Sequence, residues 1–259
     1  MRTIASLYRY PVKGLSPELL DAVQLAAGDG FPLDRRLAIT NGSWQFDAAQ
    51  YRPRPKTAFL TLMQYEALAA LRTRVTGDGS RLLIEAPDGR HIAAGLDDAA
   101  SLDALSAFLI DYLGPRLPGT PRLVRSSVHR FTDVSVTSAT YMSAVSLINL
   151  ASVRALGEAM GRGLDPLRFR ANVFFDGGRA WEELDWVDRE IRLGGLRARI
   201  LKRIRRCPAT DVDPRTGVRD ANVPQGLFDH FRHRDMGVYA EILDGGMLRP
   251  GDAVTVDMA

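Results

Sequence analysis

The N-terminal part of the chain alternates between apolar and polar positions in short segments. Alternation at a period of two is typical of half-buried strands. Three such segments, separated by glycine and proline, are residues 4–10, 21–25 and 36–40. Further along, residues 81–86 and 91–94 flank Pro87-Asp88-Gly89-Arg90, whose residue types favour a tight turn. The pattern therefore predicts three strands followed by a β-hairpin.

Apolar residues at helical spacing occur in three other segments. A Thr-x-x-Gln capping box at Thr61 precedes residues 65–72, which are rich in alanine and leucine. Leucines recur every three or four residues between Ser101 and Leu113, before a Gly-Pro pair ends the pattern. Residues 146–160 form the third segment, which ends at a glycine. We predict one helix in each segment.

Beyond residue 121 the pattern returns to short strands with glycine turns. These strands are predicted at residues 172–175, 190–193, 196–204 and 253–256. Residues 114–121 contain three prolines and two glycines, a composition typical of a domain boundary. Many short strands with few helices favour barrels over alternating βαβ units. We predict an α+β, predominantly β fold, with a β-barrel-like domain with helices at residues 1–118 and a second β-barrel domain at residues 119–259.

The composition is that of an ordinary globular protein. Of the 259 residues 46% are hydrophobic and 25% are charged, and no segment approaches the ~20 apolar residues of a membrane span. The N-terminus lacks the apolar core of a signal peptide, so we expect a cytoplasmic protein that contacts no membrane. The net charge is only +3 and acidic residues are mixed through most segments, which argues against nucleic-acid binding.

Cys207 is the single cysteine of the chain, so it forms no internal disulfide. It follows Arg205 and Arg206, and neighbouring positive charge stabilises the thiolate that attacks electrophiles or binds soft metals. Packing as a small apolar side chain is the alternative role, because free cysteine is one of the most buried residue types. The residues alone leave packing, nucleophilic chemistry and metal binding open.

Six short motifs give the chain a family resemblance. In the N-terminal part they are YPVKG at residues 10–14 and GFPLDRR at residues 30–36. In the C-terminal part they are FRAN at residues 169–172, RCPAT at 206–210, DPRTG at 213–217 and GDAV at 251–254. In this order they resemble the MOSC superfamily, named for the C-terminal domain of molybdenum cofactor sulfurases, with its N-terminal β-barrel domain. Within it, the chain is most similar to mitochondrial amidoxime-reducing components and to bacterial reductases of N-hydroxylated bases.

The resemblance implies a molybdenum cofactor, a pyranopterin whose metal would be bound by Cys207. The cofactor carries a phosphate and a dithiolene, both anionic, so it requires cationic and hydrogen-bonding side chains. The resemblance assigns these contacts to Lys13, Arg35, Asn149, Arg170, Asn172, Arg206 and Tyr239. Asp213 joins Cys207 as a candidate catalytic residue, although its Asp-Pro-Arg-Thr-Gly segment is also a good turn sequence without further role.

The resemblance further implies an oxidoreductase that reduces small N-hydroxylated substrates, such as amidoximes, hydroxylamines and N-hydroxylated bases. Because the chain has no cysteine besides Cys207 to hold an iron–sulfur cluster, we expect electrons from a separate donor protein of the ferredoxin, flavin reductase or cytochrome type. Two alternatives stay open. Cys207 could carry a persulfide in sulfur transfer, or the chain could bind and carry the cofactor without turnover.

Three features depart from the amidoxime-reducing pattern. Gly14 stands where the family often has serine, Pro208 and Asp211 also differ, and residues 46–55 do not match the family's arginine motif. These differences leave the identity of the substrate open.

Overall fold

The computed structural model, which describes residues 1–47 and 52–256, has an α+β architecture dominated by strands. This confirms the predicted fold class. The α-helices of the described ranges are α1 (Ala99–Leu113), α2 (Ala139–Ser143), α3 (Leu150–Ala159) and α4 (Val223–Phe231). The strands are β1 (Thr3–Arg9), β2 (Glu18–Leu20), β3 (Val23–Leu25), β4 (Leu37–Thr40), β5 (Arg72–Val75), β6 (Arg81–Glu85), β7 (His91–Gly95), β8 (Arg122–Arg125), β9 (Val145–Asn149), β10 (Val173–Asp176), β11 (Glu190–Leu193), β12 (Leu196–Arg205), β13 (Asp235–Ile242), β14 (Gly246–Leu248) and β15 (Val254–Val256).

The largest sheet of the described residues has eight strands in the order β15-β11-β12-β13-β9-β10-β1-β2. Its β9–β10 pair is parallel, and helix α3 lies between these two strands in the chain, as the crossover of a parallel pair requires. The other neighbours in this sheet are antiparallel. Smaller sheets pair β14 with β3, β4 with β8, and β5 with β6 and β7.

Strand pairing and core packing both cross the predicted boundary near residue 118. Leu7 of β1 lies opposite Val173 of β10, and Ile39 of β4 lies opposite Leu123 of β8. The apolar core of the large sheet includes Leu7, and the core around α1 includes Val212 from the C-terminal part. The division into residues 1–118 and 119–259 stays a prediction.

Most predicted strands are present. The segments predicted in the N-terminal part correspond to β1, β3, β4 and the β6–β7 hairpin, and those in the C-terminal part to β10, β11, β12 and β15. Strand β13 was not predicted, because Gly237 adopts a φ of +75° inside it and interrupts the alternation. Of the segment 46–55, residues 48–51 lie outside the described residues.

The predicted helix at residues 101–113 is confirmed as α1. The Asp98 side chain caps it by accepting the N–H of Ser101 at 3.0 Å, and Gly114 ends it with a φ of +64°. Its leucines pack into the core around β6 and β7. Across the described ranges, no helix combines the length and apolar character needed to cross a membrane.

The other two predicted helices are partly wrong. Residues 145–149 form the buried strand β9, and the helix begins only at Leu150, where Asn149 caps it. A run of buried apolar residues suits either a covered strand or a helix, so periodicity did not separate the two. The segment at 65–72 forms only a short 3₁₀ helix, Glu66–Ala70, before β5. The hydroxyl of Thr61 makes no capping bond, because the Gln64 N–H bonds to the Thr61 carbonyl instead.

Candidate functional site

A cavity of about 300 Å³ lies between the N-terminal segment and the C-terminal half of the chain. Ligand pockets occupy roughly 300–1,000 Å³, so this volume suits a small ligand. Of the nine predicted site residues, seven line it: Lys13, Arg35, Arg170, Asn172, Arg206, Cys207 and Tyr239. The fold thus brings residues from both ends of the chain to one place.

The cavity wall is strongly basic. Among the described residues that line it, Asp133 is the only acidic one. The basic ones are Lys13, Arg35, Lys56, Arg168, Arg170, Lys202, Arg203, Arg205 and Arg206. A concave surface with this charge concentrates anions.

Cys207 lies directly after β12, at the start of a 3₁₀ helix, Pro208–Asp211. Its carbonyl accepts hydrogen bonds from the Thr210 N–H at 3.0 Å and the Thr210 hydroxyl at 2.9 Å, which fix the turn. The cysteine is partly exposed and belongs to none of the apolar clusters found in residues 1–47 and 52–256. Its place on the cavity wall therefore disfavours a packing role.

Two lysines share the Asp133 carboxylate beside the cavity. Lys13 is buried; its Nζ donates to the Phe131 carbonyl at 2.9 Å and pairs with Asp133, and Lys56 Nζ lies 3.4 Å from the other Asp133 oxygen. Burial lowers the pKa of Lys13 even though Asp133 opposes this change. Burial alone would raise the pKa of Asp133, but the two ammonium groups hold this pKa well below its usual range. Burial alone would lower the pKa of Lys56, but its interactions with Asp133 and Cys207 outweigh burial and raise this pKa.

Tyr10 holds two predicted site arginines together. The guanidinium carbons of Arg35 and Arg170 lie 4.6 and 4.4 Å from the centre of its ring. Arg35 Nη2 donates to the Arg170 carbonyl at 3.0 Å, and the Tyr10 hydroxyl donates to the Ala171 carbonyl at 3.1 Å. Both arginines have a left-handed backbone, with φ of +51° and +52°. Burial lowers the pKa of Arg170 to about 10.

Arg206 and Tyr239 form a second polar part of the wall. Arg206 donates to the Phe169 carbonyl at 2.8 Å and to the Met236 carbonyl at 2.9 Å, so neutral carbonyls rather than carboxylates hold its guanidinium. Burial lowers the pKa of Arg206 to about 10. Burial also raises the pKa of Tyr239, although Arg206 acts in the opposite direction. The positive charge here is available to an anionic ligand.

Asn172 lines the cavity but is largely engaged by the protein. Its Oδ1 accepts the Ser146 hydroxyl at 2.9 Å, and its Nδ2 donates to the Tyr8 carbonyl at 3.2 Å. One N–H of its amide group remains for a ligand.

Asn149 and Asp213 are not among the described residues that line the cavity, so the structure does not group them with the other seven predicted site residues. Asn149 is fully buried at the start of α3, where it accepts the Ala151 N–H at 2.9 Å and donates to the Arg179 carbonyl at 2.9 Å. Asp213 accepts the backbone N–H groups of the following turn and pairs with Arg168 at 3.2 Å. Asn149 therefore acts as a helix cap, and Asp213 holds a turn and an arginine.

The wall residues that the sequence analysis missed include the charged side chains of Lys56, Asp133 and Arg168. Arg168 is 3% exposed, and its guanidinium pairs with Asp213 and, at 2.7 Å, with Asp220. A signal for Lys56 was present, since the chain has only three lysines and all of them line this cavity. Asp133 is recognisable only from its contacts with two of these lysines, because the motifs do not include it.

Several buried polar atoms of the wall have no hydrogen-bond partner within residues 1–47 and 52–256. They are Thr61 Oγ1, Thr132 Oγ1, Arg168 Nε and Arg170 Nη2. Leaving a buried donor unpaired costs about 1–3 kcal/mol, so such groups usually have a partner. Together with the excess of cations, these atoms fit an anionic ligand with several acceptor oxygens.

Two protein families together match most of the chain. The MOSC domain family matches residues 127–255, and the MOSC N-terminal beta barrel domain family matches residues 1–112. Mitochondrial amidoxime-reducing component 1 of Mus musculus is 24% identical over 97% of this chain and 81% of its own length. The Xenopus laevis protein of the same name is 27% identical over 52% of this chain and 42% of its own length.

Two further similarities differ in how much of the chain they cover. Molybdenum cofactor sulfurase of Homo sapiens is 44% identical over 24% of this chain, a match that spans 7% of its own length. Among solved structures, the YUAD protein from Bacillus subtilis has a TM-score of 0.43 and 12% identity, covering 99% of this chain and 96% of that chain.

Proposed function

Because the chain belongs to the MOSC domain family, we propose that it binds a molybdenum pyranopterin cofactor in the basic cavity and reduces N-hydroxylated compounds. One observation carries the proposal. A partly exposed cysteine and cations from both ends of the chain line a single cavity. The similarity to amidoxime-reducing components supports N–OH groups as the substrate class.

The residues of the wall fit the chemical groups of this cofactor. The Cys207 sulfur is a soft ligand of the kind that molybdenum accepts. Lys13, Arg35, Arg170 and Arg206 would compensate the negative charge of the dithiolene and the phosphate. When bound, the cofactor supplies two-electron redox chemistry at its metal.

The proposed reaction converts R–NH–OH, two electrons and two protons into R–NH2 and water. The N–O bond breaks, the nitrogen is reduced, and the oxygen leaves as water. A separate donor protein of the ferredoxin, flavin reductase or cytochrome type would be oxidised. In this reaction the protein would position the substrate and exclude bulk water in the cavity of about 300 Å³. Its cationic wall would stabilise negative charge.

The proposal is tested by replacing the cysteine. We expect purified wild-type protein to contain molybdenum near one atom per chain and to show a Mo(V) paramagnetic signal on partial reduction. Cys207→Ser should remove the metal and lower the reduction of an aryl amidoxime by a viologen donor at least a hundredfold, with an unchanged melting temperature. Met247→Leu, which removes a sulfur from an exposed position in β14, serves as the control. Wild-type turnover in Cys207→Ser would contradict the proposal.

Sulfur transfer is the second candidate, because the similarity to a molybdenum cofactor sulfurase includes the highest identity among these relatives. In that case Cys207 would carry a persulfide and pass one sulfur atom to an acceptor. Mass spectrometry of protein purified without reductant distinguishes this sulfur transfer from the reduction of N-hydroxylated compounds. One additional sulfur atom on Cys207 without molybdenum favours the carrier. Bound cofactor without reduction by any donor favours a cofactor carrier.

A further inference from the structure

Arg219 connects two turns from distant parts of the chain, although it is not itself among the described residues that line the cavity. Its Nη1 donates to the Pro208 carbonyl at 2.6 Å, and its Nη2 donates to the carbonyls of Leu62 and Met63 at 3.2 and 3.1 Å. Proline has no backbone N–H, so only its carbonyl can hold the backbone by a hydrogen bond at this position. We call these three hydrogen bonds the Arg219 bridge.

Both turns held by the Arg219 bridge carry residues of the cavity wall. Leu62 and Met63 line the cavity themselves, and Cys207 and Ala209 line it on either side of Pro208 in the sequence. The bridge therefore connects the turn that follows Cys207 to a wall segment from the N-terminal part of the chain.

The turn that precedes Arg219 packs against the same N-terminal segment. Gly217 has a φ of +70°, and an added Cβ would lie 3.1 Å from the Glu66 carbonyl oxygen and 3.3 Å from the Ala67 Cα. Arg219 Nη2 also lies 3.7 Å from the Glu66 carboxylate. These contacts hold the guanidinium beside its acceptors, and its planar fork reaches carbonyls in two directions, which the single ammonium group of lysine does not.

We propose that Arg219 is a positioning residue that limits the size of the molecules that reach Cys207. Hydrogen bonds from a charged donor are stronger than neutral ones, so the Arg219 bridge restrains the separation of the two turns. Removing the guanidinium would allow the Leu62-Met63 turn to move away from the turn after Cys207. The effect of this limit on N-hydroxylated substrates rests on the proposed function, whereas the effect on access to Cys207 does not.

Because Cys207 is the single cysteine, its alkylation rate measures access to this position directly. We use iodoacetamide and a pyrene-bearing iodoacetamide, which share one chemistry and differ in size. The full chain is purified from cells that make no pterin cofactor, and alkylation is followed by mass spectrometry. Rates are compared at a pH above which they no longer rise, so that they report access rather than ionisation of the thiol.

We expect Arg219→Gln to raise the rate with the pyrene reagent about tenfold and the rate with iodoacetamide less than threefold. Arg219→Lys, which keeps the charge without the fork, should behave like Arg219→Gln. The control is Arg215→Gln, at an exposed arginine of the same turn that pairs with Asp165 at 3.2 Å, and both rates should stay at their wild-type values.

A merely structural role for Arg219 would give a different result. General loosening of the fold would accelerate both reagents by the same factor, and this outcome would overturn the proposal. Wild-type rates in Arg219→Gln, or a wild-type ratio of the two rates in Arg219→Lys, would overturn it as well.

A second experiment separates the positioning role from the proposed function. In protein from cells that make the cofactor, kcat/KM is measured for acetamidoxime and for a naphthyl amidoxime with a viologen donor. Arg219→Gln should shift the ratio of the two values about fivefold towards the larger substrate. An unchanged ratio in a variant with altered alkylation rates would overturn the effect on substrate size. Size-dependent alkylation in a protein that reduces no amidoxime would preserve the positioning role and reject the proposed function.

Discussion

At the scale of single residues, Tyr10 shows how the cavity holds like charges together. Its ring contacts the guanidinium groups of both Arg35 and Arg170, and Arg35 Nη2 also donates to the Arg170 carbonyl. Burial raises the pKa of Tyr10, so the ring stays neutral and its hydroxyl remains a donor to Ala171. The attraction to the ring face offsets only part of the repulsion between the two arginines. The Asp34 carboxylate, which pairs with Arg35 Nη1, offsets this repulsion further.

Glu183 is a buried carboxyl group away from the cavity, and it makes stability depend on pH. It accepts the Ser152 hydroxyl at 2.9 Å, and its second oxygen has no partner in residues 1–47 and 52–256. Burial raises its pKa from 4.5 to about 7. A carboxyl group with a raised pKa in the folded state binds more protons there than in the unfolded state, so stability falls as pH rises.

We therefore predict a loss of unfolding free energy on the order of 3 kcal/mol between pH 4.5 and 7 that is specific to Glu183. Glu183→Gln should remove this part of the pH dependence, because the amide stays neutral. Urea unfolding from pH 4.5 to 8 measures it. Asp185→Asn, at an exposed carboxylate of the same 3₁₀ helix, should keep the wild-type slope. Identical slopes for Glu183→Gln and wild type would contradict the prediction.

At the scale of elements, the β12–β13 pair supports the site. Cys207 follows the end of β12, and Tyr239 lies on β13 opposite Lys202. The register shifts twice along this pair, and Gly237 lies within the second irregularity, between Asp235 and Val238. Bulges turn a strand and redirect its side chains, which suits the edge of a cavity.

Gly237 is predicted to be essential to this bulge. Its φ is +75°, and an added Cβ would lie 2.4 Å from the Leu147 carbonyl oxygen on β9. Gly237→Ala should destabilise the protein by about 3 kcal/mol or more, from the left-handed backbone and the clash together. Gly28→Ala is the control, since Gly28 has a φ of +71° with nothing within 4 Å. It should cost only about 1–2 kcal/mol. Equal losses in thermal or urea unfolding would show that the clash is relieved.

At the scale of the whole molecule, the cavity exists only because the two ends of the chain share one sheet. Strand β1 lies between β2 and β10, so the N-terminal segment completes the sheet that carries Cys207 and Tyr239. Arg130 adds a second connection. Its buried guanidinium donates to the carbonyls of Phe31 and Asp34, at 2.5 and 3.0 Å. Lys13 and Arg35 are thereby held opposite the C-terminal half.

Residues 119–259 are therefore predicted not to fold independently. Without residues 1–118, strand β10 would become an exposed edge and the buried apolar face around Val173 would be uncovered. We expect the isolated segment to lack a cooperative thermal transition by circular dichroism, and co-expression with residues 1–118 to restore it. A cooperative transition near the temperature of the full chain would show that the segment is self-sufficient.

Local chemistry made much of this protein predictable from its sequence. Alternating segments identified most strands, and the Asp98 cap with Gly114 bounded α1, because these signals act over a few residues. The motif residues Lys13, Arg35, Arg170 and Cys207, which the resemblance singled out, line one cavity, and their roles stay a prediction. Segment 146–149 was assigned to a helix because burial on both faces hides the period of a strand.

By itself, the sequence determined the fold class, most of the strands and the family. The sequence also shows that lysine is rare, but only the tertiary structure shows that all three lysines line the cavity. Tertiary structure decided that Asn149 caps a helix and that Asp213 holds Arg168. The physical reason is range: strand and cap signals act between neighbours in sequence, whereas unpaired donors and clustered charge arise from contacts between distant segments.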